Sequence, residues 1–176
     1  MILLLLIACA GASAVRAAES TEAIPPVPDF ELNRYLGTWY EIARLPHRFE
    51  KGLSRVTATY TLNPNGTIHV VNRGFKAAKN RWSQAEAKAW VPDPEFPARL
   101  KVRFFWPFSA EYKVIRLDPE YRWAVVTGSK NNYLWFLCRE PVMDEALYES
   151  LVQYVRDNGF DVSKLIRVEQ DEAGDE

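Results

Sequence analysis

The sequence is short of the residues that build metal centres, disulfide scaffolds and basic binding surfaces. Its 176 residues include 2 His and 2 Cys, too few for a disulfide framework. No His/Cys/Asp cluster stands at metal-ligand spacing, so no metal or cofactor is expected. A G-x-S-x-G elbow and a phosphate-binding loop are both missing. The 22 basic and 23 acidic side chains leave a formal net charge of −1, without the basic surplus of a dedicated nucleic-acid binder. No apolar run approaches the roughly 20 residues that a membrane-spanning helix needs. What is present is a chain 48% hydrophobic and 13% aromatic, which demands a packed interior and excludes a disordered chain. The length fits one domain.

The N-terminus reads as a separate segment. Residues Ile2–Ala8, ILLLLIA, have the length of a signal-peptide apolar core. Leu6-Ile7-Ala8-Cys9 resembles a bacterial lipobox. That pattern predicts a signal peptide over 1–8 and lipidation of Cys9. Two or three acyl chains, at about 0.8 kcal/mol per buried methylene, anchor durably where one does not. Ala10 after Cys9 points, by resemblance to the enteric sorting pattern, to the outer membrane and its periplasmic face. The alternative is an ordinary export signal cut at Ala12-Ser13-Ala14 or near Ala17-Ala18, giving a soluble periplasmic or secreted protein. Residues 9–28, with Pro25, Pro26 and Pro28, predict a tether. With Cys9 lipidated, Cys138 has no disulfide partner in the chain, and its apolar run Leu134–Cys138 predicts a buried thiol.

From Gly37 to Glu140 the hydrophobic period is two. In Arg55–Leu62, RVTATYTL, apolar residues alternate with threonines. Asn63-Pro64-Asn65-Gly66 is a turn signal, and Thr67–Phe75 makes the return strand. Gly37–Leu45, Gln84–Val91, Arg99–Phe105, Glu111–Leu117, Tyr121–Ser129 and Tyr133–Glu140 complete about eight strands. This spacing predicts an all-β sandwich or barrel, and eight strands running up and down close into a barrel able to hold one small ligand. The period then changes. Asp144–Asn158 predicts one amphipathic helix, N-capped by Asp144 and stopped at Gly159. Ser163–Gln170 predicts a last short strand, and 171–176 an acidic disordered tail.

Gly37-Thr38-Trp39 inside YLGTWYEIARLP resembles the G-x-W motif of lipocalins. Asp118-Pro119-Glu120-Tyr121 and Arg139 stand where that family carries its second and third motifs. WYEIARLPHRFEKG and the later GFDVSKLI resemble the bacterial lipocalin branch, which includes apolipoprotein-D-like relatives. The resemblance covers Phe30–Gln170. It implies an eight-stranded antiparallel up-and-down calyx over residues 29–170, with the C-terminal α-helix packed outside. Counting strand directions brings Gly37, Trp39, Asp118, Tyr121 and Arg139 to one end. The resemblance implies that Arg139 stacks on Trp39 there and closes it, making these five residues structural.

The opposite end is then the mouth, with Phe49, Trp82, Trp106 and Phe108 in or beside its loops as either a packed lid or an exposed rim. Parity from Trp39 points Glu41 and Ala43 inward. The expected lining continues with Val56, Ala58 and Tyr60, with Ala85, Ala87 and Ala89, and with Tyr112 and Val114. On the eighth strand the helix covers Leu134, Phe136 and Cys138, leaving Tyr133, Trp135 and Leu137 inward. An apolar cavity with a few polar handles suits an acyl chain with a polar head. The expectation is a non-enzymatic carrier of a fatty acid such as palmitate, or of a lysophospholipid, serving storage, transport or envelope maintenance. Its partners are that ligand and the membrane that holds its anchor; a homodimer is compatible with it. Two alternatives stay open: a lipid-modifying cavity enzyme using Glu41 or Cys138, and a structural or dimerising envelope protein whose barrel is filled.

Overall fold

The computed structural model describes residues 24–130 and 132–170. Cys9, the signal peptide, Asn131 and the acidic tail lie outside the described residues. Eight strands run in sequence order: β1 Gly37–Arg44, β2 Leu53–Leu62, β3 Ile68–Lys76, β4 Arg81–Trp90, β5 Arg99–Phe105, β6 Phe108–Leu117, β7 Trp123–Thr127 and β8 Leu134–Cys138. Each pairs antiparallel with its neighbour, and β1 pairs with both β2 and β8. That double pairing closes the barrel and leaves no open edge among these eight. A two-residue β9, Ile166–Arg167, adds onto the mouth end of β1.

The alternation that predicted the strands also separates two cores. Inward residues form one cluster, among them Trp39, Tyr60, Val70, Ala87, Leu100, Val126 and Leu137. Outward residues of β7 and β8, namely Val125, Leu134, Phe136 and Cys138, form the other. They meet Tyr148, Leu151, Val152 and Val155 on α2, Glu145–Asp157. Asp144 caps α2 by accepting from the Leu147 N–H at 2.9 Å. At its far end Gly159 takes φ +84°, and Phe160 donates its N–H back to the Val155 carbonyl. The helix is thus the lid of an external core and leaves the barrel interior clear of it.

Several boundaries differ from the sequence expectation. β4 starts at Arg81 rather than Gln84, and β6 at Phe108 rather than Glu111. The ladder continues into polar and aromatic residues that carry no alternation, so Trp82 and Phe108 lie on the strand ends beside the mouth loops. β7 starts at Trp123 because Tyr121, at φ +61°, belongs to the preceding turn. The expected C-terminal strand shrinks to β9 after a 3-10 turn at Val162–Lys164. A one-turn helix, α1 at Leu32–Tyr35, was not anticipated. The end of the expected tether is packed: Ile24 is buried in the outer core, and the Val27 N–H donates to the Val114 carbonyl at 2.9 Å.

Candidate functional site: the barrel interior and its mouth

One end of the barrel is closed by a compact polar plug. The Arg139 guanidinium lies 3.8 Å above the Trp39 ring. It donates to the carbonyls of Thr38, Arg34, Leu36 and Tyr121. The Trp39 indole donates to the Tyr35 carbonyl at 2.8 Å. Gly37 has φ +93°, and a Cβ there would stand 3.3 Å from Arg139 Nη1, so only glycine fits without strain. Asp118 accepts two side-chain bonds from Arg122 and the backbone N–H groups of Glu120 and Arg122. Those bonds, led by the Arg122 guanidinium and opposed by burial, hold its carboxyl below the usual range. The Tyr121 hydroxyl accepts from the Glu31 N–H at 2.7 Å, tying α1 to the plug.

Above the plug the register fixes what faces inward. Trp39 pairs with Ala58, Ala58 with Asn72, and Asn72 with Ala85, so all four share the inner face. Ala87 and Ala89 follow on β4, and Tyr112 and Val114 on β6, both beside the inner cluster. Ala85 is solvent-exposed even though it points inward. Of the three alanines, Ala85 touches solvent, whereas Ala87 and Ala89 are buried in the inner cluster. Val56 shares the face of Ala58 and packs where Gly74 has no side chain; a Cβ on Gly74 would lie 3.2 Å from Val56 Cγ2. Deep in the barrel three tyrosine hydroxyls converge. Tyr112 lies 2.5 Å from Tyr35 and 2.9 Å from Tyr60. Burial pushes all three phenols up, so they stay protonated hydrogen-bonding groups.

Ala43 does not line the interior. The β1–β8 register shifts between Glu41 and Ala43, so Glu41 pairs with Leu137 but Ala43 pairs with Phe136, on the helix side. Ile42 is the extra residue of a β-bulge, which reverses parity for the rest of the strand. Ile42 and Ala43 both join the outer core. The inward position passes to Arg44, opposite Trp135.

The bulge creates a buried ionic group that simple alternation forbids. Arg44 Nη1 lies 2.6 Å from Glu41 Oε1, and both side chains are almost fully buried. Arg44 also donates to the carbonyls of Glu50 and Leu53. The Glu50 carboxylate accepts from the Trp135 indole at 3.2 Å and stands 2.8 Å from His47 Nε2. Burial, with the Glu50 charge behind it, raises Glu41 well above the usual carboxylate range against the pull of Arg44. Burial works the same way on Glu50, but the hydrogen bonds and charges of His47, Trp135 and Arg44 outweigh it and lower that carboxyl. Tyr133 stacks on Trp135 at 5.9 Å, and His47 packs against both. Tyr133, Trp135, His47 and Glu50 therefore form one wall of the mouth. Arg44, His47, Glu50, Tyr35 and Asn72 escaped sequence reasoning. A bulge has no signal in hydrophobic period, and the others lie on a loop, on a helix turn and on the return strand Thr67–Phe75, for which no inward set was assigned.

The mouth is an exposed rim. Trp106 is 82% exposed, Phe108 79%, Phe105 75% and Phe49 64%. Trp82 differs: it is held on the outer face between Phe75 and the Arg73 guanidinium, 3.9 Å from its ring. Cys138 lies in the outer core, where burial pushes its thiol up. It is neither in the cavity nor activated. No group of three or more His, Cys, Asp or Glu is placed to hold a metal among the described residues.

A family model described as the lipocalin-like domain matches residues 30–170. The chain belongs to the lipocalin family. Among its relatives, this lipocalin is 45% identical over 150 residues to an outer membrane lipoprotein, Blc, of Vibrio cholerae, covering 85% of this chain and 88% of the relative. It is 47% identical over 144 residues to that of Escherichia coli (strain K12), covering 82% and 81%. Bovine apolipoprotein D is 34% identical over 155 residues, covering 83% and 80%. Insecticyanin from the tobacco hornworm shares the fold, with TM-score 0.68 and 20% identity over 85% of this chain and 86% of that one. The bacterial relatives place this lipocalin at the outer membrane, lipid-anchored, in keeping with the lipobox. Its family role is to carry a small hydrophobic ligand.

Proposed function

We propose that the barrel holds a fatty acid or a lysophospholipid, with the acyl chain against the inner wall and the polar head at the mouth. The observation that carries this reading is the inner wall itself. Ala85 leaves width at the solvent-reached part of the wall, while Ala58, Tyr60, Ala87, Ala89, Val114 and Leu137 supply apolar surface. Burying about ten methylenes offers a gross gain of about 8 kcal/mol before ordering costs. The polar handles suit such a ligand. Glu41, Arg44, His47 and Glu50 stand at the head end, and the Tyr35–Tyr60–Tyr112 hydroxyls at the base. The Asn72 Oδ1, closed off from solvent without a protein partner, offers an acceptor to a ligand hydroxyl. Cargo of this kind fits storage or transport of lipids within the envelope, with Cys9 as the attachment point. No chemical step is assigned to Glu41 or Cys138, so the protein is read as a carrier and not an enzyme.

Fluorescence titration with fatty acids and lysophospholipids tests the reading. Saturable quenching of Trp135, lost in Trp135→Phe, is the expected result; no response to any lipid of these classes would end it. Mass spectrometry of the mature N-terminus tests the anchor: a diacylated Cys9 is expected, and an unmodified residue downstream of it would contradict the claim.

A further inference from the structure

The net charge of −1 conceals a strong polarity along the barrel axis. The four mouth loops and the strand ends beside them carry exposed Arg48, Lys51, Lys79, Arg81 and Lys130. Among the described residues, the only carboxylate in those loops is Glu50, largely buried and already engaged by His47 and Trp135. The closed end leans the other way, with exposed Asp29, Glu31, Asp93, Glu95, Glu120 and Glu140 against exposed Arg34 and Arg122, which pair with Glu31 and Glu120. The basic end also carries the most exposed aromatic side chains. Phe105 and Phe108 face each other across the β5–β6 turn, with Trp106 at its tip. Phe49 projects from the neighbouring β1–β2 loop, with the Arg48 guanidinium 4.8 Å from its ring.

We infer that the mouth docks on the surface of an anionic lipid bilayer, with Phe105, Trp106, Phe108 and Phe49 entering the interface and the five cations meeting lipid phosphates. Aromatic side chains flanked by Lys and Arg suit a membrane interface, where one part is apolar and the next is charged. A second copy docked mouth to mouth would set one basic end against another, which like-charge repulsion opposes. Reach permits docking on the membrane that holds the N-terminus. The chain between Cys9 and Ile24 can extend to about 50 Å, whereas the ten residues of β4 rise only about 33 Å. Docking mouth-down gives a lipid a path into the calyx that avoids water. The inference deepens the carrier reading by naming the partner surface at its mouth, and the two can fail separately.

The test is depth-dependent quenching of the full chain on vesicles with brominated acyl chains. Vesicles of phosphatidylcholine with about 30% phosphatidylglycerol are compared with phosphatidylcholine alone. The expected result is quenching at least about fivefold greater on the anionic vesicles, falling severalfold between about 0.05 M and about 0.5 M salt. Trp106→Phe should remove most of that quenching. Lys79→Gln combined with Arg81→Gln should weaken the anionic preference while leaving ligand titration in solution unchanged. Equal quenching on both vesicle types, no contribution from Trp106, or a dimer that shields Trp106 without vesicles would each overturn the inference. Loss of ligand binding with vesicle docking intact would contradict the carrier reading alone.

Discussion

Arg139 shows how one side chain can hold the closed end together. It bonds four carbonyls and stacks on Trp39, which only a planar, multi-donor cation can do at once. Arg139→Ala is expected to cost about 1–3 kcal/mol in urea unfolding, because four carbonyls lose a charged donor and Trp39 loses the cation stacked on it. Arg139→Lys should recover little of that loss. Asp118 and Glu41 predict opposite pH behaviour. Asp118 is held below the usual carboxylate range by Arg122, so its stabilisation is present above the usual value and lost as pH falls through the lowered one. Asp118→Asn should therefore flatten the acid limb of a stability–pH curve. Glu41 is raised by burial, so its contribution is full below the usual value and fades as pH rises through the raised one. Glu41→Gln should remove that alkaline-going slope, measured by chemical denaturation at stepped pH. The plug residues were legible because a motif carries them. Arg44 was not, because one extra backbone residue at Ile42 turned it inward.

Among the elements, β2 and β3 were legible from strict alternation and an Asn-Gly turn, and α2 from its cap and apolar face. The upper ends of β4 and β6 were not. There the barrel rises past its core into exposed residues, and register with the partner strand, not side-chain pattern, keeps the ladder going. α1 is a single turn, below the length at which periodicity can be read. α2 acts only from outside the barrel, where it covers Val125, Leu134 and Phe136 on β7 and β8. Leu151→Ala removes a fully buried side chain from that cover and should cost about 2–5 kcal/mol. Since Leu151 is outside the barrel, ligand affinity at a temperature where the variant stays folded should be unchanged. Asp144→Ala removes the N-cap and should cost about 1 kcal/mol. Thermal unfolding monitored by circular dichroism reads both.

For the whole molecule, the packing divides into two layers, an inner cluster within the barrel and an outer one beneath α2. The outer layer adds stabilising apolar contact that does not depend on the barrel interior. The architecture and the closed end could be read from the sequence, because period two and three ordered motifs determine them. Strand directions also placed the mouth, but whether its aromatics pack or stand exposed could not be read, because exposure is a property of the closed barrel. The central claim is that ligand occupies the interior. It is tested most directly by placing a tryptophan where the inner wall is open. Ala85→Trp should fold with wild-type secondary structure, because its position touches solvent and not core. It should lose saturable binding of fatty acid and lysophospholipid by at least about tenfold through steric exclusion. Wild-type affinity in a correctly folded Ala85→Trp variant would contradict the account.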